Sequence, residues 1–161
     1  MTHKELVEIG KRWLWRKCDI VVTELTTGIS ETPDIIGWKS WKSTLIECKT
    51  SRQDFLKDKH KWSRRKPEYG IGNYRYFLIL ENIIQLNELP EKWGLLEVDK
   101  NGKICCVKKP ERFEPRLEWE RIFLVSCIKR IGQNPPKDMT VRAYKYQTKQ
   151  RASMGVKEGL K

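Results

Sequence analysis

The sequence predicts a mixed β-sheet with helices packed against it, an α+β (α/β) arrangement, and three features lead there. Short runs rich in β-branched and aromatic residues alternate with stretches whose apolar residues recur at helical spacing. Asn101-Gly102 lies between two strand-like runs, where a hairpin turn needs left-handed backbone. The length of 161 residues suits one domain with a core of its own.

Residues 2–17 read as a helix, because Leu6, Gly10, Trp13 and Leu14 share a face and Thr2-His3-Lys4-Glu5 matches a capping box. Residues 19–25 suit a strand through Ile20, Val21, Val22 and Thr23, and a polar loop follows over 26–32. Two further strands, 33–38 and 44–49, are joined by a hairpin connection over 39–43. Ser51-Arg52-Gln53-Asp54 matches a second capping box, and Phe55, Leu56, Lys59 and Trp62 continue at helical spacing. That predicts one basic helix over 52–66, leading into a mobile loop at Pro67 and Gly70-Ile71-Gly72. Tyr76, Phe77, Leu78 and Ile79 make an apolar strand at 75–80, buried on both faces. Strands 94–99 and 103–108 flank the Asn-Gly turn, and a last helix over 114–131 is stopped by Gly132 and Pro135-Pro136. The domain therefore spans 1–136, and 137–161, with seven basic and two acidic side chains, reads as a flexible basic tail.

Charge narrows the partners. Lys and Arg number 33 against 21 Asp and Glu, a net +12 with an isoelectric point near 9.6, which favours nucleic acid first and acidic membrane second. Neither a long apolar run nor a signal-peptide core is present, so the expected setting is the cytoplasm, with no membrane partner. Five cysteines, Cys18, Cys48, Cys105, Cys106 and Cys127, lack the count and spacing of a disulfide or zinc framework and read as small buried residues. Trp38, Trp41 and Trp62 stand beside basic residues, where a ring can meet a base or sugar.

The chemistry concentrates between Pro33 and Lys49. Pro33 delivers Asp34 to the start of its strand, and the period of two puts Glu47 and Lys49 on one face while Ile46 and Cys48 take the other. Breaking a phosphodiester needs charge neutralisation and an activated water, and a magnesium ion held by one or two carboxylates supplies both. Asp34 and Glu47 are ligands of the right type, and the Cys48 carbonyl offers a third. Lys49 would hold a phosphate oxygen or the attacking water, its pKa lowered by burial or a neighbouring cation. The plainer alternative is a surface salt bridge from Glu47 to Lys49 or Lys39.

Pro33-Asp34, twelve intervening residues and Glu47-Cys48-Lys49 resemble the signature of the PD-(D/E)XK nucleases, the restriction-endonuclease-like superfamily. The element order over residues 2–80 is similar to that family's αβββαβ core; the hairpin, last helix and tail lie outside it. The spacing of the acids resembles that of Holliday-junction resolvases, and residues 47–62 are similar to small phage and bacterial nucleases. The resemblance implies a Mg²⁺- or Mn²⁺-dependent DNA endonuclease. Asp34 and Glu47 would be its metal ligands, the Cys48 carbonyl a further one, and Lys49 the catalytic lysine. Family members often add an acid from the first helix or strand: Glu5, Glu8 and Glu24 are the candidates, Glu5 having a competing job in its cap, and Glu31 ranks below them.

Lys59, Arg64, Arg65 and Arg75 are the expected phosphate contacts. His3 and His60 read as surface residues. The Gly70-Ile71-Gly72 run precedes a strand and is no phosphate-binding fingerprint. A non-catalytic nucleic-acid-binding module on the same scaffold is the second reading. RNA stays open as the polymer, and a homodimer would supply two cuts to a duplex.

Overall fold

The computed structural model describes residues 1–29, 31–133 and 139–141. One seven-stranded sheet forms the middle layer, in the spatial order β6-β5-β4-β3-β2-β1-β7. Its strands are β1 Ile20–Thr23, β2 Ile35–Lys39, β3 Lys42–Lys49, β4 Tyr74–Leu80, β5 Gly94–Val98, β6 Ile104–Lys108 and β7 Met139–Val141. The helices are α1 His3–Trp15, α2 Arg52–Asp58, α3 Trp62–Arg65 and α4 Leu117–Gln133. β1, β2 and β3 run antiparallel, β3, β4 and β5 run parallel, and β6 and β7 close the edges antiparallel. This is the mixed α+β sheet the sequence predicts, and no helix among the described residues is long and apolar enough to cross a membrane.

Each face of the sheet buries its own core. On one, Leu6, Val7 and Leu14 of α1 pack on Val21, Ile35, Ile46, Cys48, Leu78 and Leu96. Gly10 permits the close approach, because a Cβ there would lie 2.5 Å from Ile35 Cδ1 and 2.7 Å from Leu78 Cδ2. The predicted capping box holds the start of α1: the Thr2 amide donates to Glu5 Oε2 (2.7 Å) and the Glu5 amide to Thr2 Oγ1 (3.3 Å). On the other face, Phe55 of α2 and Phe123 of α4 cover Ile36, Leu45, Phe77, Ile79 and Leu95. Phe55 meets Phe77 edge-on at 5.0 Å, and Phe77 stacks on Trp93 at 4.5 Å. Truncating such a buried Phe to Ala typically costs about 3–5 kcal/mol, so Phe55→Ala would loosen α2 from the sheet.

Four local expectations are corrected. The basic helix is broken: α2 ends at Asp58 and α3 restarts at Trp62, because Asp58 turns inward to meet buried cations instead of continuing a solvated face. Ser51 does cap α2, accepting from the Asp54 amide at 3.2 Å. α4 begins at Leu117, later than expected, and runs through Gly132 to Gln133. Cys18, Cys48 and Cys127 are buried, but Cys105 and Cys106 are exposed, because they lie on β6 at the edge of the sheet. Within the segment expected to be a tail, Met139–Val141 pairs with β1 as an edge strand; 137–138 and 142–161 lie outside the described residues.

Candidate active site

β2 and β3 bring Asp34 and Glu47 together. Ile35 pairs with Ile46, so the next step of the antiparallel ladder sets Asp34, just before β2, against Glu47. Asp34 Oδ2 accepts a 2.7 Å hydrogen bond from the Cys48 amide, which fixes the carboxylate over the end of β3. Burial, then repulsion from Glu47, pushes the Asp34 carboxyl up to about 6, against the partial relief of that hydrogen bond and of Lys49. The other oxygen, Oδ1, faces His3 Nε2 at 3.5 Å, and the same nitrogen lies 3.8 Å from Glu24 Oε1. Glu24 holds a left-handed backbone (φ 47°) where the chain leaves β1, a conformation that costs a non-glycine residue about 1–2 kcal/mol. Its amide donates to the Asp34 carbonyl at 3.0 Å, which ties this turn to the site.

Glu47 and Lys49 project from β3 towards α2 and α3, as the alternation requires, and both are buried. Lys49 Nζ lies 3.5 Å from Glu47 Oε2 and 3.1 Å from Asp58 Oδ1. Lys61, whose side chain is 49% exposed, reaches Glu47 Oε2 at 3.4 Å and Asp58 Oδ1 at 2.6 Å. Arg64, its side chain 2% exposed, contacts Asp58 through Nε and both Glu31 and Glu47 through its terminal nitrogens, at 2.9 and 3.0 Å. The Arg64–Glu47 contact is off the hydrogen-bond direction, and Glu47 Oε1 is left buried without a hydrogen-bond partner. Burial opposes the charge on Lys49, yet Glu47, Asp58 and Asp34 outweigh it and hold the ammonium above its ordinary pKa. The lowered lysine pKa expected from sequence is therefore not met, because three carboxylates surround it. Asp58 is likewise disfavoured by burial, but Arg64 and Lys49 bring its carboxyl below the usual range.

The other predicted residues divide. Lys59 and Arg65 are exposed and available to a phosphate. Arg64 and Arg75 are not surface contacts. Arg75 is 0% exposed, donates to the Gly72 and Pro67 carbonyls at 3.0 Å each and lies 4.1 Å above Phe113, and burial pulls its pKa down to about 10. Glu5 is occupied by its cap, where hydrogen bonds from Thr2 hold its carboxyl below the ordinary range. Glu8 pairs with Lys11 and Arg12 on the same helix. Glu24 alone among the suggested third acids comes near Asp34, through His3. Glu31, ranked lowest from sequence, is buried against Arg64 and accepts from the Ile71 amide at 3.1 Å.

Sequence reasoning missed Asp58, Lys61 and the position of His3. A signal existed for Asp58, which stands three residues after Phe55 and so shares its buried face. His3 and Asp34 are joined only by topology.

Oxygen donors of this kind suit a small hard ion that keeps several of its waters. Among the described residues no three His, Cys, Asp or Glu side chains converge tightly enough to enclose an ion unaided. Two buried, mutually repelling carboxylates, one with an oxygen held only by the off-direction Arg64 contact, nevertheless fit a divalent cation in charge and donor chemistry. A cleft of about 340 Å³ opens onto Glu47 between Glu31, Thr32, Lys61, Trp62 and Arg64. A larger cleft, about 1050 Å³, runs between α1 and the β5–β6 hairpin and touches the site region only through Thr23, Glu24 and Glu5.

No protein-family model matches the chain, and no curated protein is significantly similar to it in sequence. Among solved structures it is similar to one described as the SPO1766 protein of unknown function from Silicibacter pomeroyi. The TM-score is 0.64 at 18% identity, over 83% of this chain and 88% of that one. At that identity the likeness is one of fold.

Proposed function

We propose that the protein is a divalent-metal-dependent DNA endonuclease of the PD-(D/E)XK type. The observation that carries this reading is the meeting of Asp34 and Glu47 at neighbouring strand ends, where burial and then the Glu47 charge raise the Asp34 carboxyl to about 6. Such a pair favours a cation between its members. Asp34 and Glu47 would hold Mg²⁺ or Mn²⁺, with the Cys48 carbonyl as a further donor and Glu24 at the rim. When bound, the ion neutralises charge on the phosphate and activates a water. Lys49 acts as a fixed cation beside the scissile phosphate, oriented by Glu47 and Asp58. Lys59 and Arg65 contribute counter-charge along the backbone without reading sequence. A homodimer would set two such sites on a duplex.

The test is cleavage of plasmid and branched DNA with Mg²⁺ or Mn²⁺ by wild type, Glu47→Ala and Lys49→Ala. The expected outcome is metal-dependent cutting reduced at least ~100-fold in each variant; cutting that ignores either the metal or the substitutions contradicts the reading.

One observation favours a non-catalytic nucleic-acid-binding module instead: Lys49, Lys61 and Arg64 already balance Glu47, Asp58 and Glu31. Under that reading calorimetry finds no saturable Mn²⁺ binding, while DNA binding persists and weakens steeply with salt.

A further inference from the structure

Beside the cleft that reaches Glu47, aromatic rings and an arginine gather on the surface. Trp62, the first residue of α3, is 44% exposed, and Tyr69, in the short 3₁₀ turn Pro67–Tyr69, is 36% exposed. Their ring centroids lie 4.7 Å apart, and Trp62 lies 6.0 Å from Trp119 of α4. The Arg116 guanidinium sits 5.1 Å from the centroids of both Tyr69 and Trp119. Trp62 also lines the cleft itself, with Glu47, Lys61 and Arg64.

The fold buries large aromatics where it uses them for packing: Trp93 lies in the core, and Trp38 is covered with its indole donating to Glu120. Trp62 instead stays partly exposed, close in sequence to the exposed Lys61, Arg65 and Lys66 and beside the rings that Arg116 covers; among the described residues Lys61 and Arg116 have acidic partners, and no ion pair is seen for Arg65 or Lys66. Arg116 has one carboxylate, Glu118, at 3.9 Å. A ring face with a cationic rim matches a ligand that is flat and apolar on one part and anionic on the next, which describes a nucleobase on its phosphate. Bases inside a duplex are stacked on each other and present no face to such a ring, so the ligand must be out of the stack.

We infer that Trp62, supported by Tyr69 and Arg116, stacks an unpaired nucleobase beside Glu47, so that the preferred nucleic acid is single-stranded or unpaired at this point. The inference rests on the nucleic-acid reading of the site but not on turnover.

The experiment is fluorescence anisotropy with a labelled single-stranded DNA and its duplex, on the full chain, with EDTA so that no cutting intervenes. Trp62→Ala should weaken single-strand binding about tenfold or more, Trp62→Phe should retain most of it, and duplex binding should change by less than about twofold. Trp62→Leu keeps the apolar contact with Tyr69 and Trp119 but removes the π face, and it should lose as much as Trp62→Ala even if the alanine variant folds poorly. Leu86→Ala, at an exposed apolar residue in the short turn Leu86–Glu88, should leave single-strand binding intact. Equal losses for single strand and duplex, no loss, or an equal loss in Leu86→Ala would overturn the inference. If wild type fails to cut with metal while the Trp62 pattern holds, the nuclease reading falls and the stacking site stands. The converse result removes the stacking site alone.

Discussion

Two polar clusters are buried on the same side of the sheet, at opposite ends of β3, and they are built differently. At the start of the strand, Glu120 of α4 accepts from the Ser43 hydroxyl (2.6 Å), the Gly72 amide (2.8 Å) and the Trp38 indole (3.3 Å). Asn73 completes that cluster, accepting from the Ser43 amide and donating its own amide to Ser43 Oγ. At the end of the strand, Glu47, Asp58 and Glu31 face Lys49, Lys61 and Arg64, yet Glu47 Oε1, Asp58 Oδ1 and one Arg64 nitrogen lack an aligned hydrogen bond. The first cluster is a satisfied clasp that joins α4 to the sheet. The second holds charge in reserve, and it lies at the carboxyl ends of parallel strands β3 and β4, where open α/β sheets bind ligands.

The largest effect should separate the two by stability. Glu120→Ala strands three buried donors, each worth about 1–3 kcal/mol, so urea unfolding should show a loss of about 3 kcal/mol or more. A loss below about 1 kcal/mol would mean that the clasp is not structural.

Asp34→Asn should act in the opposite direction. The folded Asp34 carboxyl titrates near 6, above its ordinary value, so its contribution to stability is complete below about pH 4 and is lost as the pH rises through 6. Asparagine still accepts from the Cys48 amide and carries no charge. Without metal, the variant should be more stable than wild type by up to about 3 kcal/mol above pH 7, with the difference vanishing near pH 4. A pH-independent difference would contradict the account of an Asp34 carboxyl raised by burial and by Glu47.

Much of this contrast was legible in the chain. The β-branched and apolar runs located β1 to β4, the Asn101-Gly102 turn located β5 and β6, the Thr2–Glu5 capping box located α1, and strand alternation put Glu47 and Lys49 on one face. The break between α2 and α3 was not legible, because a charge run at helical spacing looks like a solvated helix until its partners are known. Arg64 and Arg75 were misjudged for the same reason. A buried guanidinium is stable only against acids or carbonyls, and here those come from Glu31, Glu47 and Asp58, or from Pro67 and Gly72, through folding alone.

Smaller effects sharpen the same division. Thr2→Ala removes an N-cap and should cost about 1 kcal/mol while leaving Mn²⁺ binding unchanged, since the Glu5 carboxylate serves the helix; weakened Mn²⁺ binding would return Glu5 to the ligand set. Lys59→Ala and Arg65→Ala should each lower the salt dependence of DNA binding by about one ion, whereas Arg75→Lys should alter stability and not that slope. A slope change for Arg75→Lys would contradict its burial.

The central claim is that Asp34 and Glu47 share one divalent ion, and a crystal structure of the protein soaked in Mn²⁺ tests it most directly through anomalous scattering. The account predicts one strong peak between the two carboxylates, with oxygens of both at about 2.0–2.2 Å and Lys61 displaced from Glu47. A map with no peak there, and Glu47 still engaged by Lys61 and Arg64, would contradict it.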